Sequence, residues 1–166
     1  QETEHAKAGK PARITAKMNS LIEPSVIDAL YQASAAGVQI DLIVRGMCTL
    51  RPGVKGLSEN IRVRSIIGRQ LEHSRVYCFH NNGADDTFIS SADWMGRNFF
   101  RRIEVATPIT TPELKERVIR EGLEMALEDN TQAWLMQPDG SYVRTQPQDG
   151  EPAFGSQEGL WKIYGR

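Results

Sequence analysis

The stretch ITAKMNSLIEPSVIDALYQASAAGVQIDLIV, residues 14–44, decides the fold. Ile14–Met18 is apolar at alternate positions and reads as a short strand. Pro24 opens the next segment, where its fixed φ and missing N–H suit the first turn of a helix. Val26, Ile27, Leu30, Tyr31 and Ala35 then recur at helical spacing, and Gly37 stands where a helix end calls for left-handed backbone. Val38–Val44 is rich in Val, Ile and Leu and reads as a second strand. A strand, a helix and a strand in this order form a βαβ unit, which places the strands parallel and the helix on one face.

Working outward, Arg51-Pro52-Gly53 and Gly56 mark a loop, and Ile61–Ile67 alternates as a strand with one basic face. Val76–His80 and Thr87–Ser90 read as strands around the turn Asn81-Asn82-Gly83, and Ile103–Ile109 as another. Thr111-Pro112 starts a second helix with an inner stripe of Leu114, Val118, Gly122 and Met125 or Ala126, stopped by Asp129-Asn130. Ala133–Met136 and Ser141–Arg144, joined by Pro138-Asp139-Gly140, predict a hairpin, and Leu160–Tyr164 a short terminal helix. The expected organisation is a flexible lead-in at residues 1–12, one α/β domain at 13–145 with a mixed sheet flanked by helices, and a loosely structured tail at 146–166.

The 166 residues are 40% hydrophobic and 25% charged, ordinary for a globular domain. Lys+Arg total 20 and Asp+Glu 21, a net charge of -1, which excludes a histone-like polycation and an acidic tail protein. Cys48 and Cys78 are too few for a disulfide scaffold or a four-cysteine zinc site. No apolar run approaches the roughly 18 residues of a membrane span, and the N-terminus lacks an apolar signal region. The expected location is therefore the cytoplasm, or the periphery of a membrane. The chain opens on Gln1, so a fragment or processed product of a longer protein is expected.

The near-neutral total hides an asymmetry. Between Arg45 and Arg75, seven bases face two acids, a local charge of +5, whereas Glu113–Arg166 carries ten acids and six bases. Six of the seven bases are arginine, whose planar fork suits phosphate oxygens. The pattern predicts an anion site, with a solvated charged face as the alternative.

Three histidines are candidates for chemistry. His5 falls in the lead-in, and His80 ends a strand and reads as structural. His73 lies in Glu72-His73-Ser74-Arg75, where Glu72 and Ser74 are positioned to share hydrogen bonds with its ring. Farther along, Ser90-Ser91-Ala92-Asp93-Trp94-Met95-Gly96-Arg97-Asn98 follows a strand, with Arg102 and Glu104 soon after. Hydroxyls and an acid at a strand end, backed by arginines, can hold a phosphoryl group and orient a histidine. The blander reading makes Asp93 a helix cap and Trp94 a core residue.

These two elements resemble half of a phospholipase D superfamily site, in which His-x-Lys and a strand precede Gly-Ser-x-Asn, an Arg and a Glu. His73 matches the histidine, Arg75 replaces the lysine, and Ser90-Ser91-Ala92-Asp93 stands for Gly-Ser-x-Asn. From about Ala6 to Arg144 the chain is similar to the polyphosphate kinases. The resemblance rests on Lys17–Leu21, Ile40–Gly46, Leu50–Gly53, Gly56–Ile66, Leu71–Arg75 and Ser90–Met95 with Arg97, Asn98 and Arg102.

That resemblance implies the last of four domains, phospholipase D-like in fold, whose site is completed by the preceding domain. It implies ATP, ADP and inorganic polyphosphate as substrates, and reversible transfer of the γ-phosphoryl group through a histidine of that preceding domain. It further implies Mg2+ with ligands outside this chain, association with the remaining domains of the parent, and a homo-oligomeric parent. By matched position, Arg45 is expected on ATP phosphates, His73 as a second catalytic histidine, and Arg102 as a further catalytic, phosphate-binding arginine. Arg75 is expected to hold phosphate beside His73. Two alternatives remain: a single-motif phospholipase D-like phosphodiesterase or nuclease that completes its site as a homodimer, and a non-catalytic polyanion-binding module. Arg75 speaks against the first, since that superfamily has lysine there.

Overall fold

A computed structural model describes residues 1–165; Arg166, the last residue of the expected tail, lies outside them. The βαβ unit is present as expected. Strand β1 (Arg13–Met18) leads through helix α2 (Pro24–Ala35) to β2 (Gln39–Val44), and the two strands pair in parallel with Met18 beside Val44. Gly37 has φ +102°, the left-handed backbone its position called for.

Strand β3 (Ile61–Ile66) extends the parallel trio, and β4 (Val76–Phe79) runs antiparallel on the other side of β1. Adding β5 (Asp86–Ser90), β6 (Ala106–Pro108), β7 (Ala133–Met136) and β8 (Tyr142–Arg144) gives one eight-stranded mixed sheet in the order β6-β5-β4-β1-β2-β3-β7-β8. The strand expected over Ile103–Ile109 is thus confined to three residues at the sheet edge.

The sheet is covered on both faces, the usual condition for parallel strands. On one face Ile14, Ala16, Met18, Ile40, Leu42 and Val44 pack against Ile27, Leu30 and Ala33 of α2. The residues between them point to a second, smaller core, where Ile43, Ile66, Val76 and Cys78 meet Leu123 and Ala126. Those last two come from α4 (Pro112–Ile119), a π turn at Arg120–Glu124, and α5 (Met125–Glu128). Of the expected stripe, Val118 and Ala126 face this core and Met125 is buried, whereas Leu114, near the start of α4, is 49% exposed. The π turn adds Leu123 at the central inward position. The turn also brings Gly122 down onto β4, where a Cβ would lie 3.1 Å from Val76 Cγ2.

Both ends differ from expectation. Residues Glu2–Lys7 form a helix, α1, rather than a flexible lead-in. Buried Glu2 pins it, accepting from the Asn81 amide at 2.6 Å and the Arg13 amide at 2.9 Å. The terminal helix α6 spans Ser156–Tyr164 and so begins earlier than Leu160. Asp129 fixes its start by accepting from the Ser156 amide at 2.7 Å and the Ser156 hydroxyl at 2.9 Å. Between Arg144 and Ser156 the chain is irregular, as the Pro- and Gly-rich composition suggested.

The contrast between Leu123 and Leu114 has a measurable consequence. Leu123→Ala should cost about 2–5 kcal/mol in urea unfolding, as buried Leu truncations do. Leu114→Ala should change stability by less than about 0.5 kcal/mol. Equal losses at the two positions would contradict the burial of Leu123 and the exposure of Leu114.

Candidate active site

The carboxyl ends of β1, β2 and β3 point to one end of the sheet. Because β4 is antiparallel to β1, Arg75 and the loop before it arrive at that same end. Strand β5 leaves its last residues there, since Val76 pairs with Ile89. The topology therefore gathers Asn19, Arg45, the His73 loop and the segment after Ser90 at one place.

After β5 the chain passes beneath the end of β1, with Leu21 bridged to Trp94 and the Ile22 and Glu23 amides donating to the Trp94 carbonyl. Tyr77 stacks on Trp94 with ring centroids 5.0 Å apart, and its hydroxyl donates to the Ala92 carbonyl at 2.6 Å. Burial pushes the Tyr77 hydroxyl well above its usual pKa, and the nearby Asp93 charge adds to this. These contacts seal Asp93 inside.

Asp93 is the centre of the site's hydrogen bonding. Its side chain is 5% exposed and that of Arg75 13%. Arg75 grips it with both arms of its fork, Nε on Oδ1 at 2.9 Å and Nη2 on Oδ2 at 3.1 Å. The Asn19 amide donates to Oδ1 at 2.7 Å. Burial by itself would raise the Asp93 carboxyl, but the Arg75 guanidinium and the Asn19 and Ser20 amides outweigh it and hold it below the usual carboxylate range.

Two arms run out from this centre. Asn19 accepts from Arg45 Nε at 3.0 Å, which aims that guanidinium. Arg75 Nη1 donates to the His73 carbonyl at 3.2 Å, which ties down the His73 backbone. Arg45 borders a cleft of about 240 Å³ lined also by Gly46, Ser65, Ile67, Trp134 and Tyr142. His73 itself is exposed.

The expected residues divide as follows. Arg45, His73 and Arg75 lie in one connected network, but Arg75 faces Asp93 and His73, with all three guanidinium nitrogens engaged. Arg102 is exposed, and its charge helps hold Glu104 low, after the bonds that Ser91 and Asn98 make to that carboxylate. Glu72 does not serve the His73 ring. Its Oε2 pairs with Lys17 Nζ at 2.5 Å, and its Oε1 accepts from Gln157 at 2.7 Å. Asp93 is not a helix cap, because α3 (Gly96–Phe100) begins after Met95.

Besides Arg75, two more bases of the +5 stretch are held within the protein. Arg62 pairs with Asp41 of the neighbouring strand at 2.7 Å. Arg64 reaches the second core and donates to the Ala126 and Leu127 carbonyls at the end of α5, where burial lowers its pKa. His80, at the opposite end of the sheet, bonds Asp85 through Nδ1 at 3.1 Å, in keeping with a structural role.

Asn19, Lys17 and Gln157 escaped the reading of single residues. The first two carry a recognisable signal, polar residues at the carboxyl end of a buried parallel strand. Gln157 carries none. The acids of the site are taken up by Arg75, Lys17, Ser91 and Asn98, and among the described residues no group of three or more His, Cys, Asp or Glu is placed to hold a metal ion.

Sheet and site together define a phospholipase D-like α/β domain with an arginine-rich polar centre at its strand ends. A family described as "Polyphosphate kinase C-terminal domain 2" matches residues 1–157, and the chain belongs to it. Polyphosphate kinase of Neisseria meningitidis serogroup C is 84% identical over 165 residues, covering 99% of this chain and 24% of that protein. The Burkholderia vietnamiensis polyphosphate kinase is 62% identical over 159 residues, 96% of this chain and 23% of that one. The crystal structure of polyphosphate kinase from Porphyromonas gingivalis superimposes with a TM-score of 0.93 at 43% identity, over 98% of this chain and 24% of that one. Nuc of Salmonella typhimurium, a phospholipase D family member, shares the fold alone, with a TM-score of 0.55 at 16% identity over 87% of this chain and 89% of that one. The chain thus spans about a quarter of the length of its polyphosphate kinase relatives. No helix among the described residues is long and apolar enough to cross a membrane.

Asp93 provides the test. Its folded pKa lies below the unfolded value, so its pairing contributes in full above about pH 4 and fades as pH falls further. Asp93→Asn strands the buried Arg75 charge and should cost about 3–5 kcal/mol at neutral pH. In urea titrations across that range, the gap between wild type and variant should narrow below about pH 4. A constant gap would mean that the carboxylate charge is not what matters.

Proposed function

We propose that this domain forms the C-terminal half of a polyphosphate kinase active site. The parent enzyme reversibly transfers the γ-phosphoryl group of ATP to inorganic polyphosphate, through a phosphohistidine in the preceding domain. The observation that carries this reading is the Asp93-centred network, which orients Arg45 and ties down the His73 backbone at one strand end. The chain's membership of the family agrees with it.

Phosphoryl transfer passes through a transition state whose charge spreads over peripheral oxygens, so positioning and electrostatics do most of the work. Arg45, fixed through Asn19, and Arg102 supply positive charge for those oxygens. The exposed His73 ring gives or holds a proton at the bridging oxygen as the phosphoryl group leaves or arrives. An imidazole can do either, which is why histidine is the commonest proton-transfer group. Arg75 works behind them, holding the His73 backbone. Mg2+ would travel with the ATP phosphates and be held by groups outside this chain.

The phosphodiesterase alternative is disfavoured by Arg75. The residue at the superfamily's lysine position is an arginine held in a bidentate pair with Asp93 and bonded to the His73 carbonyl.

In the full-length enzyme, His73→Ala should lower the rate of polyphosphate synthesis about 10²–10⁴-fold. Its melting temperature should stay near wild type, since the side chain is exposed. His80→Ala should do the reverse, with a near-normal rate and some lost stability. A His73→Ala enzyme of near-normal rate would overturn the assignment.

A further inference from the structure

We infer that the C-terminal helix α6 is a strap that sets the position of His73, and that Gln157 is its positioning residue. The inference rests on the polyphosphate kinase reading for the role of His73 and on geometry for the strap itself.

The loop from Ile67 to Ser74 has no regular structure, yet it carries the proposed catalytic histidine. Arg75 anchors one side of it. The other side is held by the buried Gln157, in the first turn of α6. Gln157 Oε1 accepts from the Gln70 amide at 2.8 Å, and Nε2 donates to the Gln70 carbonyl at 2.8 Å. The side-chain amide thus closes on both backbone groups of one residue. Nε2 also donates to Glu72 Oε1 at 2.7 Å, next to His73 in sequence, while Glu72 Oε2 is paired with the buried Lys17 of β1.

Three further contacts make this a built arrangement. A Cβ on Gly68 would fall 2.4 Å from Gln157 Oε1, so the loop and the amide fit against each other closely. The Arg69 guanidinium lies over the Trp161 ring of α6, 5.9 Å from its centroid. Asp129 caps the helix from the domain core. The path therefore runs from the core through Asp129, α6, Gln157 and Glu72 to His73. A tail with only a packing role would not need an amide closed on a loop's backbone.

Gln157→Ala removes the clamp, and Gly68→Ala displaces it while leaving the glutamine in the sequence, its new Cβ pressing on Gln157 Oε1 and Gln132 Oε1. In the full-length enzyme each should lower kcat about 10- to 100-fold, with KM for ATP and polyphosphate changed less than about twofold, as for a displaced catalytic group. Melting temperatures should stay within a few degrees of wild type. Trypsin should cut after Arg69 faster in each variant. If Gln157→Ala fails to fold, Gly68→Ala carries the test. Unchanged kcat and unchanged cleavage at Arg69 in folded variants would overturn the strap, provided His73→Ala is crippled. Should His73→Ala stay active while cleavage at Arg69 accelerates, the strap stands and the role given to His73 falls.

Discussion

The bidentate pair between Arg75 and Asp93 is the constraint on which the rest of the site depends. A carboxylate 5% exposed is tolerable only if its charge and lone pairs are matched. Arg75 matches the charge on both oxygens, and the Asn19 and Ser20 amides take further lone pairs. Each of those partners belongs to a different segment. Asn19 and Ser20 follow β1, Arg75 precedes β4, and Asp93 follows β5. One desolvated group therefore fixes three strand ends relative to one another. Arg45 and His73 hang from that centre by single hydrogen bonds through Asn19 and Arg75.

Much of the fold was legible because its signals are local. The period-two and helical patterns in residues 14–44, with Pro24 and Gly37 as punctuation, specify the βαβ unit without tertiary help. What escaped was tertiary. The π turn at Arg120–Glu124 seats Gly122 against Val76, a partner far away in sequence, and helical periodicity gives no sign of it, although Val118, Gly122 and Ala126 of the expected stripe do face the sheet. Helix α1 looked like a solvated polar lead-in because its anchor is a buried acid, Glu2, bonded to amides at Arg13 and Asn81.

The site was legible in a different way. His73, Arg45 and the Ser90–Asp93 segment were found through motifs, and the sheet topology brings them to one end. The charge count overstated the free positive charge. A run of arginines predicts an anion site only if the arginines are free, and Arg62, Arg64 and Arg75 are each engaged within the protein by Asp41, by the carbonyls ending α5, and by Asp93. Net charge over a window reports partners for solvent and ligand together. Separating them takes the cross-strand and helix-end contacts that the sequence does not display. Gln157 is the extreme case. An ordinary glutamine in a Pro- and Gly-rich tail became a clamp only because α6 folds back onto the loop before β4.

The two departures from the phospholipase D pattern turn out to be one feature. Arginine at the lysine position and aspartate at the asparagine position touch each other. Neither change is sensible alone. A lone aspartate would bury an unmatched charge, and a lysine could not span both carboxylate oxygens as Arg75 does. Together they make a self-contained structural pair, buried at the strand ends, from which Asn19 and the His73 backbone are held. On the reading proposed above, this pair is what keeps Arg45 and His73 in place for groups that the rest of a longer chain would supply.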